Sequence, residues 1–170
     1  MVANMVPDFH SDEKVTILDF DVVEARNLQG TQFFTLEVKN HNKTEALQYL
    51  IYKVYGIEIN FINEKLSSDN IDQLSDYDLI VDTFDNYISR KLVQDYCMDH
   101  HLTVLHCGFS DKFTFSIEFG DHYRVPEDNP KAKDLCELPG ASSFVRMVAS
   151  IGSLVVQEFL TKGKQREFIG

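Results

Sequence analysis

The chain has 170 residues, of which 44% are hydrophobic and 12% aromatic, with a net charge of −11. That is ample apolar material for one packed domain and too much for a disordered chain. So acidic a surface repels phosphate backbones, which sets nucleic-acid binding aside, and no uninterrupted apolar run reaches the roughly 18 residues of a membrane span.

In chain order, residues 1–14 form a polar, acidic segment carrying Asp8, Asp12 and Glu13, without the basic flank or apolar stretch of a signal peptide. A cytoplasmic location is the resulting expectation. Residues 15–163 read as one domain and 164–170 as a C-terminal tail. Val15–Asp19 reads as a short buried strand ending in a carboxylate. Asn42 is expected to cap a helix from Lys43 to about Tyr55, with Ala46, Leu47, Leu50, Ile51 and Val54 at helical spacing and Gly56 as its stop. Ile57–Ile62 alternates as a strand, Ile71–Leu74 suits a short helix, and Tyr77–Val81 is another buried strand.

A helix follows from about Tyr87 to His100, with Ile88, Leu92, Val93 and Tyr96 expected inside. Thr103–His106 and Phe113–Phe119 read as strands. Residues 120–140 hold three of the four prolines and read as a long loop. Ser142 or Ser143 is expected to cap a last helix running to about Thr161, whose core stripe is Phe144, Val148, Ile151, Val155 and Phe159. Strands alternating with helices predict an α/β fold, a mainly parallel sheet with helices on both faces. Ligands of such sheets bind beyond the carboxyl ends of the strands, here after Asp19, Asp82 and His106.

Three stretches lie at those positions. Asp19-Phe-Asp closes the first strand, and a carboxylate there suits the two hydroxyls of a ribose. Lys43 opens a helix, where backbone N–H groups and an ammonium together favour phosphates. Asp82-Thr-Phe-Asp-Asn86, with Arg90 one turn later, offers hard carboxylates of the kind that bind Mg²⁺ beside phosphate oxygens. Taken singly, each is as readily a turn or a helix cap. Cys97, Cys107 and Cys136 form no CxxC pair, so reduced thiols and no zinc are expected. Cys97, His100 and His101 share a helix but read as core and helix-end residues rather than as metal ligands.

In this order the motifs resemble the ThiF/MoeB/HesA (E1-like, ubiquitin-activating-enzyme-like) superfamily: Asp19-Phe-Asp-Val-Val-Glu, Asn27-Leu28, the helix-opening Lys43, Asp82-x-x-Asp-Asn-x-x-x-Arg90, and Ser150-Ile-Gly-Ser-Leu-Val-Val-Gln-Glu-Phe159 in the last helix. The resemblance covers about residues 15–163. It implies a Rossmann-like three-layer fold that binds ATP and Mg²⁺ and activates the C-terminal carboxylate of a ubiquitin-like or sulfur-carrier protein. The carboxylate attacks the α-phosphorus, giving an acyl-adenylate and pyrophosphate. By the same resemblance Asp19 would hold the ribose, Lys43 the phosphates and Asp85 the Mg²⁺, with Asn86 and Arg90 shaping the loop at the nucleotide. Some members pass the acyl group to a loop cysteine before the last helix, and Cys136 lies there. Its neighbours Asp134 and Glu137 would weaken it as a nucleophile.

Two departures stand out. The family's opening strand, Gly-x-Gly-x-x-Gly turn and helix are absent: no glycine precedes Gly30. That βα unit of about thirty residues would supply the central strand, and without it the neighbouring strands have unpaired edges. The family also has an arginine after Asn-Leu, where this chain reads Gln29-Gly-Thr-Gln32. Three readings follow: a non-catalytic homologue, a piece of a longer enzyme, or a chain completed by a partner. A homodimer or heteromer is expected, with Phe33-Phe34 as the candidate contact.

Overall fold

A computed structural model describes residues 14–28 and 34–170, apart from the side chain of Cys136. The expected contact residue Phe33 and the departure at 29–32 lie outside the described residues. The chain divides into two compact units, Met1–Lys65 with Cys136–Leu154, and Leu66–Leu135 with Val155–Gly170.

The first unit contains a β-α-β element. Strand β1 (Thr16–Leu18) runs parallel to β2 (Asn60–Ile62), pairing Ile17 with Phe61. Helix α1 (Lys43–Tyr55) makes the crossover. Its apolar positions serve two clusters. Ala46 and Leu50 pack with Val23 and Val38, while Ile51 packs with Ile59, and Leu47, Val15 and Ile17 close around them. Ile51 is fully buried, and such burial contributes about 2 to 3 kcal/mol. Phe34, expected at an interface, packs against the first of these clusters. Gly56 ends the helix at φ 69°, its N–H donating to the Tyr52 carbonyl at 2.8 Å. Glycine adopts this left-handed conformation without a Cβ penalty. Asn42 stands at the N-cap but makes no side-chain cap bond, contrary to expectation; its carbonyl accepts from the Ala46 N–H.

The second unit repeats the pattern. Strand β3 (Ile80–Asp82) lies parallel to β4 (Val104–Phe109), with helix α2 (Tyr87–Asp99) between them. Strand β5 (Phe115–Phe119) pairs antiparallel with β4, and β6 (Phe168–Ile169) antiparallel with β5. The segment 164–170, expected to be a tail, thus supplies a strand of this sheet. Helix α2 turns Val93, Cys97 and Arg90 inward, whereas Ile88, expected inside, is 77% exposed. Its position follows from the cap: Asn86 fixes the first turn, and Arg90 one turn later takes the inner face.

Hydrogen bonding divides the strands into a β1-β2 pair and a β3-β4-β5-β6 sheet. Among the described residues, β1 is bonded only to β2 and β3 only to β4. The result is the expected α/β architecture, built on two parallel β-α-β units.

The last helix, α3 (Ala141–Lys162), begins one residue before Ser142 and two before Ser143, so both expected caps lie within its first turn. It is long and apolar enough to cross a membrane by length and composition only, a test that the core helix of a soluble protein also passes. Its Ala141, Val148, Val155 and Val156 are buried, while Met147, Leu154 and Leu160 are exposed.

Candidate functional site

In the first unit β1 ends at Leu18, and Asp19 is the next residue, its N–H donating to the Ile62 carbonyl at 3.2 Å. The Asp19 carboxylate folds back on its own loop: Oδ1 accepts the Asp21 N–H at 2.8 Å. This local turn is what an aspartate at a strand end readily makes. Lys43, the first residue of α1, is bound to the same loop twice. Its N–H donates to the Asp21 carbonyl at 2.8 Å, and its Nζ donates to Asp21 Oδ2 at 2.8 Å. The Lys43 side chain is 18% exposed and that of Asp21 49%. An ammonium has three donors, so Lys43 keeps donors for an anion while Asp21 holds it in place. Asn27, buried, braces the loop by accepting the Glu24 N–H at 2.8 Å. Next to Lys43, the Thr44 hydroxyl is buried without a hydrogen-bond partner among the described residues.

In the second unit the loop 82–86 follows β3. Asp82 is buried, and its Oδ1 accepts the Phe84 N–H at 2.8 Å. Asp85 is exposed, with Asn86 Nδ2 at 3.4 Å from its Oδ1. Asn86 caps α2, its Oδ1 accepting the Ser89 N–H at 2.9 Å. The first turn gains a second cap from the long loop, because Asp128 Oδ1 accepts the Tyr87 N–H at 2.7 Å. Both satisfy donors that a helix start leaves open.

Arg90 points into the unit. Nη1 donates to the Tyr123 hydroxyl at 2.8 Å and Nη2 to the Cys107 carbonyl at 3.2 Å, while Asp82 Oδ2 lies 3.7 Å from Nη1. Beside it His106 is fully buried between Asp82 and Gln94, with Tyr123 stacked on its ring. Burial raises the Tyr123 hydroxyl above its ordinary pKa, against the pull of Arg90. Burial likewise pushes the Cys97 thiol up to about 11 and Cys107 to about 12.

The expected site residues therefore fall into two groups, Asp19 with Lys43 in one unit and Asp85, Asn86 and Arg90 in the other. Cys136 lies in the short 3-10 turn Leu135–Glu137, and its side chain is outside the described residues. The sequence reading missed the partners: Asp21 for Lys43, and His106, Gln94 and Tyr123 around Asp82 and Arg90. Asp21 was legible in the Asp-Phe-Asp motif. Nothing local marked Tyr123, which comes from the polar loop. Among the described residues, no group of His, Cys, Asp and Glu is arranged to hold a metal by itself. Asp85 alone suits a Mg²⁺ that is held mainly by phosphate oxygens and water.

Comparison with known proteins bears on this arrangement. The ThiF family profile matches residues 12–167. A probable molybdopterin-synthase adenylyltransferase of Porphyra purpurea is 28% identical over 159 residues, covering 85% of this chain and 40% of that protein. An adenylyltransferase and sulfurtransferase MOCS3 of Culex quinquefasciatus is 35% identical over 86 residues, covering 49% of this chain and 20% of that protein. The chain spans less than half the length of these relatives. Among solved structures, E. coli MccB matches with a TM-score of 0.68 at 16% identity, covering 95% of this chain and 58% of that one. MccB crystallised with ATP matches with a TM-score of 0.67. At that identity the likeness shows the Rossmann-type fold alone.

Proposed function

Since the chain belongs to the ThiF family, we propose that it takes part in ATP-dependent adenylylation of the C-terminal carboxylate of a ubiquitin-like or sulfur-carrier protein. The observation that carries this reading is Lys43, a mostly buried ammonium at a helix start, steadied by Asp21 directly after the strand-end Asp19. A cation so placed at a helix start is suited to anions, the phosphates of a nucleotide among them. The relatives named adenylyltransferases agree with it.

The donor set fits the substrate. Asp19 would accept from the ribose hydroxyls, and Lys43 would neutralise phosphate charge. Asp85, exposed on the loop before the doubly capped start of α2, would hold Mg²⁺ through a carboxylate oxygen. ATP supplies the leaving pyrophosphate; the chain's own residues orient and neutralise anions. Asn86 and Arg90 serve the reading indirectly, by fixing the start of α2 and the wall behind the loop. A thioester role for Cys136 and a dimeric or heteromeric assembly belong to the same proposal.

ATP–pyrophosphate exchange with a candidate carrier protein tests it. Exchange by the wild type that disappears in Asp85→Ala supports the enzyme. A second reading is an E1-like subunit or fragment that binds a carrier or a catalytic partner without using ATP; Gln29-Gly-Thr-Gln32, standing where the family has an arginine, favours it. Carrier binding without exchange would establish it instead.

A further inference from the structure

The centre of the second unit contains more charge than the proposed chemistry uses. His106 on β4 is fully buried, with Nδ1 at 2.6 Å from Asp82 Oδ2 and Nε2 at 2.6 Å from Gln94 Oε1. The far end of the Gln94 amide decides its orientation: Nε2 donates to the Gly120 carbonyl at 2.8 Å. Gln94 therefore presents its oxygen to His106, and His106 Nε2 must donate. At the other ring nitrogen the partner is Asp82 Oδ2, which also has the Arg90 guanidinium 3.7 Å away while Oδ1 takes the Phe84 N–H. His106 Nδ1 must donate as well. A ring that donates from both nitrogens is an imidazolium. Tyr123 stacks on it with centroids 3.8 Å apart and planes 12° from parallel, and an aromatic face attracts a cation.

We propose that His106 is a positioning residue, a buried imidazolium that fixes the Asp82 carboxylate and, through the Phe84 N–H, the backbone of the loop presenting Asp85. Asp82 carries one negative charge between two cations, His106 from β4 and Arg90 from α2. So placed, Asp82 turns one oxygen to each side, Oδ1 to the Phe84 N–H and Oδ2 to His106. Phe84 is held by one of them, and Asp85 is the next residue. A neutral ring would leave either Asp82 or Gln94 facing a lone pair in a dry interior, which is costly. The loop's link to Mg²⁺ rests on the proposed function; the clamp itself does not.

The test is nucleotide-free, so a failure of ATP binding would count against the proposed function and not against His106. Long-range ¹H–¹⁵N spectra of the wild-type chain at neutral pH are expected to show both His106 nitrogens protonated. A single neutral tautomer overturns the proposal. In H106Q the Phe84 amide is expected to exchange at least about tenfold faster, while the Ile117 amide in β5 keeps its protection. Unchanged Phe84 exchange overturns the positioning role. If H106Q does not fold, the wild-type ¹H–¹⁵N spectra alone decide the proposal, and a single neutral tautomer overturns it.

Discussion

Lys43 Nζ lies 2.8 Å from Asp21 Oδ2, which ties the first turn of α1 to the loop leaving β1. The pair is half open to solvent on the aspartate side. Its weight in folding is therefore small, and Asp21→Asn is expected to cost no more than about 1 kcal/mol in urea denaturation. Binding is expected to respond more strongly. Under the proposed function Lys43→Ala weakens ATP binding by about tenfold or more in calorimetry, the scale of one lost charge-assisted hydrogen bond. A variant that binds ATP as well as the wild type would remove Lys43 from the site.

Arg90 behaves differently because it is buried with its donors engaged. Arg90→Ala opens a void and strips the Tyr123 hydroxyl and the Cys107 carbonyl of their donor. A loss of about 3 to 5 kcal/mol is expected from the urea midpoint. A loss under about 1 kcal/mol would show that the guanidinium is solvated in solution.

Gly120 lies where a Cβ would come within 2.6 Å of Val104 Cγ1. Val104 is buried on β4, and its β-branched side chain is stiff at χ1. Gly120→Ala is expected to cost about 1 to 3 kcal/mol through overpacking. Thermal denaturation reads this directly, and an unchanged melting temperature would contradict the packing described.

The Cys97 and Cys107 thiols, raised to about 11 and about 12, are almost wholly protonated at pH 8. Both are expected to resist iodoacetamide in the native protein at that pH, as mapped by mass spectrometry, and to react on unfolding. Linkage gives a matching pH effect. The folded pKa values lie above the ordinary thiol value of 9.0, so the unfolded chain loses these protons first. Stability is then intact below about pH 9 and falls as pH rises toward 12. Tyr123, also raised by burial, acts in the same direction.

Much of this molecule was legible from residue order, for a local reason. The bounds of α1 and α2 follow from apolar spacing, from Gly56, and from Asn86, whose cap bond reaches only three residues along the chain. The alternation of strands and helices, and the motifs that mark the family, are likewise written in short windows. Partners distant in the chain were not. Arg90 meets Tyr123 across 33 positions, Asp82 meets His106 across 24, and Phe168 joins Ile117 in the sheet. No periodicity encodes which buried donor meets which acceptor. Arg90 at an exposed-looking helix position and His106 at a strand end acquire their meaning only when folding removes water and each must find a partner in the chain. Tertiary structure alone decided that Arg90 turns inward, that Ile88 turns out, and that a histidine with no motif stands behind the Asp82 loop.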